Sequence, residues 1–229
     1  MKNILIIGSN SGIAKALIKQ LLKEKNNVFA ISKQEDSFIH ENYTSFQTDI
    51  LSEALPEKVT ASEIDGFVYF PGTINLKPFK SIKEDTFRSD LEINLLGAIK
   101  SLQQIEKQLT ENSSVLLFSS VAAQTGMPFH ASVAASKGAV EGLTGALAAE
   151  WAPKVRVNCI APSLTETPLA SRFLKTQKQK EAMQQRHPMK TYGQPIDIAS
   201  MANFLLSEKS RWITGQVIGI DGGLSTIKQ

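Results

Sequence analysis

Short apolar runs alternate with longer stretches of helical periodicity from one end of the chain to the other. That alternation is the feature that most limits the fold. Strands separated by helix-length crossovers pair in parallel, and the helices then cover both faces of the sheet. The runs read as strands are residues 4–8, 28–32, 45–48, 66–70, 115–118, 155–160 and 217–220. Between the first two, Ala14, Leu17, Ile18, Leu21 and Leu22 fall at helical spacing within 13–25. Residues 84–109 and 132–151 are the longest helical stretches, and no linker, repeat or low-complexity segment divides the chain. Residues 1–229 are therefore expected to form one α/β domain, long enough to bury a core and built on a doubly wound parallel sheet.

Composition narrows the partners. A net charge of +3 with scattered lysines gives no footprint for nucleic acid, and the densest basic stretch, 175–180, reads as a solvated helix face. No apolar run approaches the roughly 20 residues of a membrane span, and residues 2–7 read as a strand rather than a signal peptide. Cys159 is the only cysteine, which excludes an internal disulfide and fits a reducing cytoplasm. Its neighbours Val155, Val157 and Ile160 mark it as an inert core thiol. No cluster of His, Cys and carboxylates has metal-ligand spacing, so no metal is expected. The second long helix carries Gly138, Gly142, Gly145, Ala146 and Ala149 three or four residues apart. Each glycine costs up to ~1 kcal/mol of helix propensity, so another helix is expected close by, from this chain or from a second subunit.

The first strand runs into Gly8-Ser9-Asn10-Ser11-Gly12-Ile13-Ala14 and then a helix. A turn without Cβ atoms lets the backbone approach a pyrophosphate, and the helix N-terminus offers free N–H groups and partial positive charge. Nucleotide binding is expected here. The second strand ends Ala30-Ile31-Ser32-Lys33, with no carboxylate to grip a ribose 2′-hydroxyl. Ser32 and Lys33 instead offer a donor and a positive charge to a 2′-phosphate, which predicts NADP(H) over NAD(H).

The spacing G-x-x-x-G-x-A resembles that of the short-chain dehydrogenase/reductase family, and further segments extend the resemblance over nearly the whole chain. Asp49-Ile50 matches the family's adenine-binding aspartate, although a helix N-cap ahead of Leu51 is the alternative. Phe70-Pro71-Gly72 stands where the family carries Asn-Ala-Gly, so Pro71 and Gly72 are expected to wall the adenine ribose. Ile93-Asn94-Leu95 matches the family's helix asparagine, which helps hold a relay water. The segment from Pro162 to Thr167 is similar to its Pro-Gly-x-x-x-Thr loop beside the nicotinamide, with Leu164, Thr165 and Thr167 facing the cofactor. Ser163 there replaces a glycine, so a strained or reshaped turn is expected. Trp212-Ile213-Thr214-Gly215-Gln216 and Asp221-Gly222-Gly223 are similar to its C-terminal signature.

Ser120 and Lys137 complete the match, and Val133 breaks it. Ser120 lies thirteen residues before Val133, at the spacing of the family's serine and tyrosine. Val133 precedes Lys137 by four residues and so occupies the tyrosine's position. The resemblance implies a Rossmann-like fold, hydride transfer between nicotinamide and a small carbonyl or alcohol, and a homodimer or homotetramer. In such chemistry Ser120 donates to the developing oxyanion and Lys137 binds the nicotinamide ribose. Val133 has no exchangeable proton. Three readings stay open: a water held by Ser120, Lys137 and Asn94 delivers the proton; His130, seven residues before Lys137, delivers it; or the protein binds nucleotide without turnover, as a regulatory or assembly protein. Residues 167–189 read as a substrate lid with Leu169, Phe173, Leu174 and Met183 as its apolar face. His187 is expected in the mobile part of that lid, His40 at the surface, and Tyr192 away from the lost phenol's place.

Overall fold

Strand residues of alternating parity serve different layers. In β1 (Asn3–Ile7) Leu5 and Ile7 join one core cluster, and Ile4 and Ile6 join another on the opposite face. Side chains on a strand alternate by face, so a strand apolar at every position is one covered on both sides. The computed structural model describes residues 1–228. After β1 come α1 (Gly12–Lys23), β2 (Asn27–Ser32), β3 (Tyr43–Gln47), α2 (Glu57–Thr60), β4 (Ile64–Tyr69), α3 (Glu84–Leu91), α4 (Gly97–Ile105) and β5 (Leu109–Phe118). The chain continues through α5 (Val121–Gln124), α6 (Ala131–Trp151), β6 (Val155–Pro162), α7 (Gln177–Arg186), α8 (Pro195–Leu206) and β7 (Val217–Ile220).

The seven strands form one sheet in the order β3-β2-β1-β4-β5-β6-β7, every neighbouring pair parallel. Helices α1 and α8 pack their Leu17, Leu21, Ile198 and Leu205 on one face. Helices α4 and α6 cover the other with Leu102, Ile105, Val140 and Ala148. This is the Rossmann-like, doubly wound arrangement expected from the alternation. Strand order reverses between β1 and β4, so the loops leaving their carboxyl ends diverge and open a crevice there.

The expected single helix over 84–109 is corrected. Between α3 and α4 the backbone widens into a π turn at Glu92–Leu96, and the helix ends at Ile105. The π turn holds Asn94 inward, almost wholly buried, while Leu96 remains exposed. Gly97 follows because nothing larger fits: a Cβ there would lie 2.2 Å from Tyr69 Oη and 2.8 Å from Ile50 Cδ1. Leu109 starts β5 instead of ending a helix.

Two further expectations change. A Cβ on Gly138, Gly142 or Gly145 would meet nothing within 4 Å, so no described part of this chain approaches that side of α6. Ser163 is not among the non-glycine residues with positive φ, and the turn carries no left-handed strain. Cys159 is fully buried in β6, and burial pushes its thiol up to about 12. Among the described residues no helix is long and apolar enough to cross a membrane, and no group of three or more His, Cys, Asp or Glu side chains could hold a metal ion.

Candidate active site

The crevice at the strand reversal is a cleft of about 590 Å3, floored by the carboxyl ends of β1, β4, β5 and β6. Its β1 side is the glycine turn. Gly8 adopts φ +79°, a region open to glycine, and a Cβ there would sit 2.9 Å from Pro71 Cδ in the turn after β4. The turn is pinned by Gly8 N and Ser9 N donating to Ile31 O at 2.8 and 3.1 Å. Ser11 caps α1, its Oγ accepting from Ala14 N at 3.1 Å. The N-terminus of α1 therefore opens onto the cleft with Gly8, Asn10, Ser11, Gly12 and Ile13 along its wall. Ser9 is buried behind them, with Oγ donating to Ile31 O.

At the β2 and β3 ends, Ser32, Lys33 and Ile50 line the cleft. Asn10 Nδ2 donates to Ser32 Oγ at 3.0 Å. Lys33 Nζ pairs with Asp49 Oδ2 at 2.9 Å. That hydrogen bond from Lys33 and a backbone one from Leu51 hold the Asp49 carboxyl below the usual carboxylate range. Asp49 Oδ1 accepts from Leu51 N at 3.1 Å, but in a turn with no helix behind it, so the N-cap alternative takes only this local form. Asp49 itself is outside the cleft's lining.

The far wall carries Ser120, Val133, Lys137, Pro162, Leu164, Thr165 and Thr167, with Pro71 and Gly72 facing them. Ser120 caps α5, its Oγ accepting from Ala122 N at 3.2 Å. Val133 is 4 % exposed, one helical turn before Lys137. Lys137 Nζ donates to Phe118 O at 2.8 Å, and burial, only partly opposed by the charge of Asp90, pushes its ammonium down to about 8. A Cβ on Gly72 would come within 3.4 Å of both Lys137 Nζ and Asn94 Oδ1, so the glycine leaves that corner open.

Asn94 stands just behind the cleft and is fully engaged. Its Nδ2 donates to Ser136 Oγ at 2.8 Å and to Thr73 Oγ1 at 3.1 Å, and its Oδ1 accepts from Thr73 N at 3.0 Å. Sequence reading missed what lies beyond. Asp90, fully buried, accepts from Thr73 Oγ1 at 2.5 Å, Asn75 Nδ2 at 2.6 Å and Ser132 Oγ at 2.5 Å. Its position in α3 shows it as one more polar residue on an exposed helix, and its partners are 15 to 42 residues away. His130 lies outside the cleft's lining, half-buried at the start of α6, its Nδ1–H donating to Pro128 O at 2.7 Å. Tyr192 is buried away from the cleft, and His40 stacks on Phe38.

His187 departs most from expectation. It is 2 % exposed, not on a mobile surface, because the turn after β7 folds back over it. Its ring lies 2.9 Å from Ser163 Oγ and 2.8 Å from Met183 O. In the lid, Leu174 is buried while Leu169 is half exposed at the cleft mouth. Arg172 reaches across that mouth to donate to Ile74 O.

A doubly wound parallel sheet with its crevice at the strand reversal is the framework of dinucleotide-binding oxidoreductases. Residues 7–225 match the family model described as enoyl-(acyl carrier protein) reductase. The 3-oxoacyl-[acyl-carrier-protein] reductase FabG of Thermotoga maritima is 34% identical over 97% of each chain. A short-chain dehydrogenase family protein from Francisella tularensis superposes with a TM-score of 0.89, at 25% identity over 99% of this chain and 100% of that one. ElxO with NADP bound gives 0.88 at 26% identity, over 99% and 100%. The chain belongs to the short-chain dehydrogenase/reductase family of oxidoreductases.

Proposed function

We propose that this chain is an NADP(H)-dependent oxidoreductase of small carbonyl or alcohol substrates whose proton relay dispenses with the tyrosine. The observation that carries the reading is the shared cleft. The glycine turn, Ser120 and a buried Lys137 all face one cavity. The residues fit a dinucleotide, because the glycine turn packs closely on Pro71 at the N-terminus of α1 and Gly72 puts no Cβ beside Lys137 Nζ.

Gly8, Asn10, Ser11, Gly12 and Ile13 would hold the pyrophosphate at the N-terminus of α1, with Ser9 fixing the turn from behind. Ser32 and Lys33 would meet a 2′-phosphate, Asp49 and Ile50 the adenine, and Pro71 and Gly72 the adjoining ribose. Pro162, Leu164, Thr165 and Thr167 would border the nicotinamide, and Lys137 its ribose. When bound, the cofactor supplies or accepts the hydride. Ser120 Oγ donates to the oxygen that gains charge, and Lys137 adds a positive charge beside it. Val133 carries no exchangeable proton where the resemblance places a phenol, so the proton has to come from another group that borders the cleft. ElxO, structurally similar, is described with NADP bound, which supports the choice of nucleotide. The open glycine side of α6 supports assembly as a homodimer or homotetramer.

The test is a fluorescence titration with NADPH and NADH, followed by NADPH oxidation against a panel of small aldehydes, ketones and β-keto esters. Tighter NADPH binding and measurable oxidation are expected. Binding without oxidation would leave a nucleotide-binding regulatory or assembly protein; no binding of either nucleotide would overturn the reading entirely.

A further inference from the structure

The loop after β6 and the end of α7 bring a hydroxyl and an imidazole together at the cleft wall. Ser163 lines the cleft, while His187 is buried behind it, with 2.9 Å between Ser163 Oγ and His187 Nε2. The orientation of the ring follows from its other nitrogen. Nδ1 lies 2.8 Å from Met183 O, and a carbonyl can only accept, so Nδ1 carries the hydrogen of the neutral ring. Nε2 is then the acceptor, and Ser163 donates its hydroxyl proton to it. A hydroxyl paired with an imidazole that is itself oriented by a third group is the arrangement by which proteins activate a hydroxyl for proton transfer.

The pair is rigidly held. Ser163 N donates to Ile220 O at 3.3 Å, and Met189 N to Gly222 O at 3.3 Å, tying both partners to β7 and the turn after it. That turn supplies the charge. Burial pushes the Asp221 carboxyl up, but hydrogen bonds from Ser225 and Gly223 outweigh it and hold it below the usual carboxylate range. Of the other charged groups nearby, Arg186 and Lys190 flank His187 in sequence, and Lys190 Nζ donates to Gln185 O. Glu166, on the loop after β6, is taken up by Gln194 and Lys180.

We propose that Ser163 and His187 form the proton-transfer pair of this enzyme, with Ser163 touching the substrate oxygen and His187 acting through it. The inference rests on the oxidoreductase reading above. In reduction, the carbonyl carbon gains the hydride and its oxygen takes the Ser163 Oγ proton. Ser163 recovers a proton from the Nε2–H of protonated His187, which leaves neutral and is reprotonated from solvent. In oxidation the alcohol proton passes to Ser163 Oγ, the Ser163 proton passes to Nε2, and the substrate carbon gives up hydride. The observed Ser163-to-Nε2 hydrogen bond is the state ready for oxidation. A serine hydroxyl alone is a poor acid and a poor base, and the imidazole behind it takes and returns the proton.

The experiment compares the whole chain with Ser163→Ala, His187→Gln and the double variant, using NADPH and ethyl 3-oxobutanoate. Each single variant is expected to lower kcat about tenfold or more, with NADPH affinity within about twofold, and the double variant to lose no more than the worse single one. The pH profile of kcat should lose its imidazole limb in His187→Gln. Independently of turnover, imidazole-nitrogen NMR of the cofactor-free protein should show His187 as the Nδ1–H tautomer, with its Nε2 resonance displaced in Ser163→Ala. Wild-type turnover with Ser163→Ala unchanged, a retained pH limb in His187→Gln, or an Nε2–H tautomer overturns the pair alone. A wild type that neither binds nor oxidises NADPH overturns both this proposal and the oxidoreductase reading.

Discussion

Val133 presents two methyl groups to a cleft that also holds Ser120 and Lys137, at the point where the family resemblance places a phenol. Val133→Tyr puts a phenol at that place in the cleft lining. We expect NADPH-dependent carbonyl reduction to rise at least about tenfold in this variant, the lower part of the general-acid range, measured as kcat. At the other end of the cleft, Lys33 neutralises Asp49 and borders the cavity. Lys33→Ala should weaken NADPH much more than NADH in fluorescence titrations, since it removes a cation and leaves Asp49 to repel a 2′-phosphate. Equal losses for both nucleotides would remove Lys33 from the cofactor assignment. Lys137 also marks the stability curve. Burial lowers it to about 8 from an ordinary 10.5, so between these values the unfolded chain holds a proton that the folded chain has released. The Lys137 contribution to stability therefore rises with pH across this window, by up to about 1.4 kcal/mol per pH unit, and its burial penalty is complete below it. In urea melts at pH 8 and 9.5, Lys137→Met should flatten this rise relative to wild type.

Elements were legible in the sequence where one kind of pattern ran unbroken. Strands β1, β2, β4 and β6 fall on apolar runs because they are buried at nearly every position and so covered on both faces, whereas the edge strands β3 and β7 are only partly buried and β3 is mostly polar. Boundaries failed where a strand leaves the core: β5 begins with Leu109, but Thr110, Glu111 and Asn112 are exposed or half exposed and read as loop. The π turn between α3 and α4 was invisible because Leu91, Leu95 and Leu102 keep a helical rhythm on either side of it. Tyr69, on another element, meets it there, its hydroxyl donating to Ile93 O at 2.7 Å. Gly97→Ala drives a methyl into that hydroxyl and is expected to destabilise the fold by about 1–3 kcal/mol, read from denaturant midpoints at unchanged m-value. For the site, motif spacing placed Ser120, Val133 and Lys137 in one cleft. It could not join Ser163 to His187, because that contact depends on how the turn after β7 returns over the lid.

The molecule as a whole leaves one helix incompletely covered. Gly138, Gly142 and Gly145 face open space on α6, and Leu91 and Leu96 are 37 % and 45 % exposed on the helices beside it. A second copy covering this region would offset the propensity lost to the glycines. Light scattering should give a dimer or tetramer for the wild type and a smaller species for Gly142→Arg; an unchanged mass in the variant would place the contact elsewhere. The strand order has a further consequence, for how the chain comes into being. A ribosome releases β1 before the other strands of this sheet, yet β1 belongs inside it, between β2 and β4, and its β4 partner begins about sixty residues later. Until that partner emerges, Ile4–Ile7 travels with one greasy edge unguarded. Such a nascent chain is a natural client for holding chaperones, and its refolding from denaturant is expected to be slow and to lose yield as concentration rises.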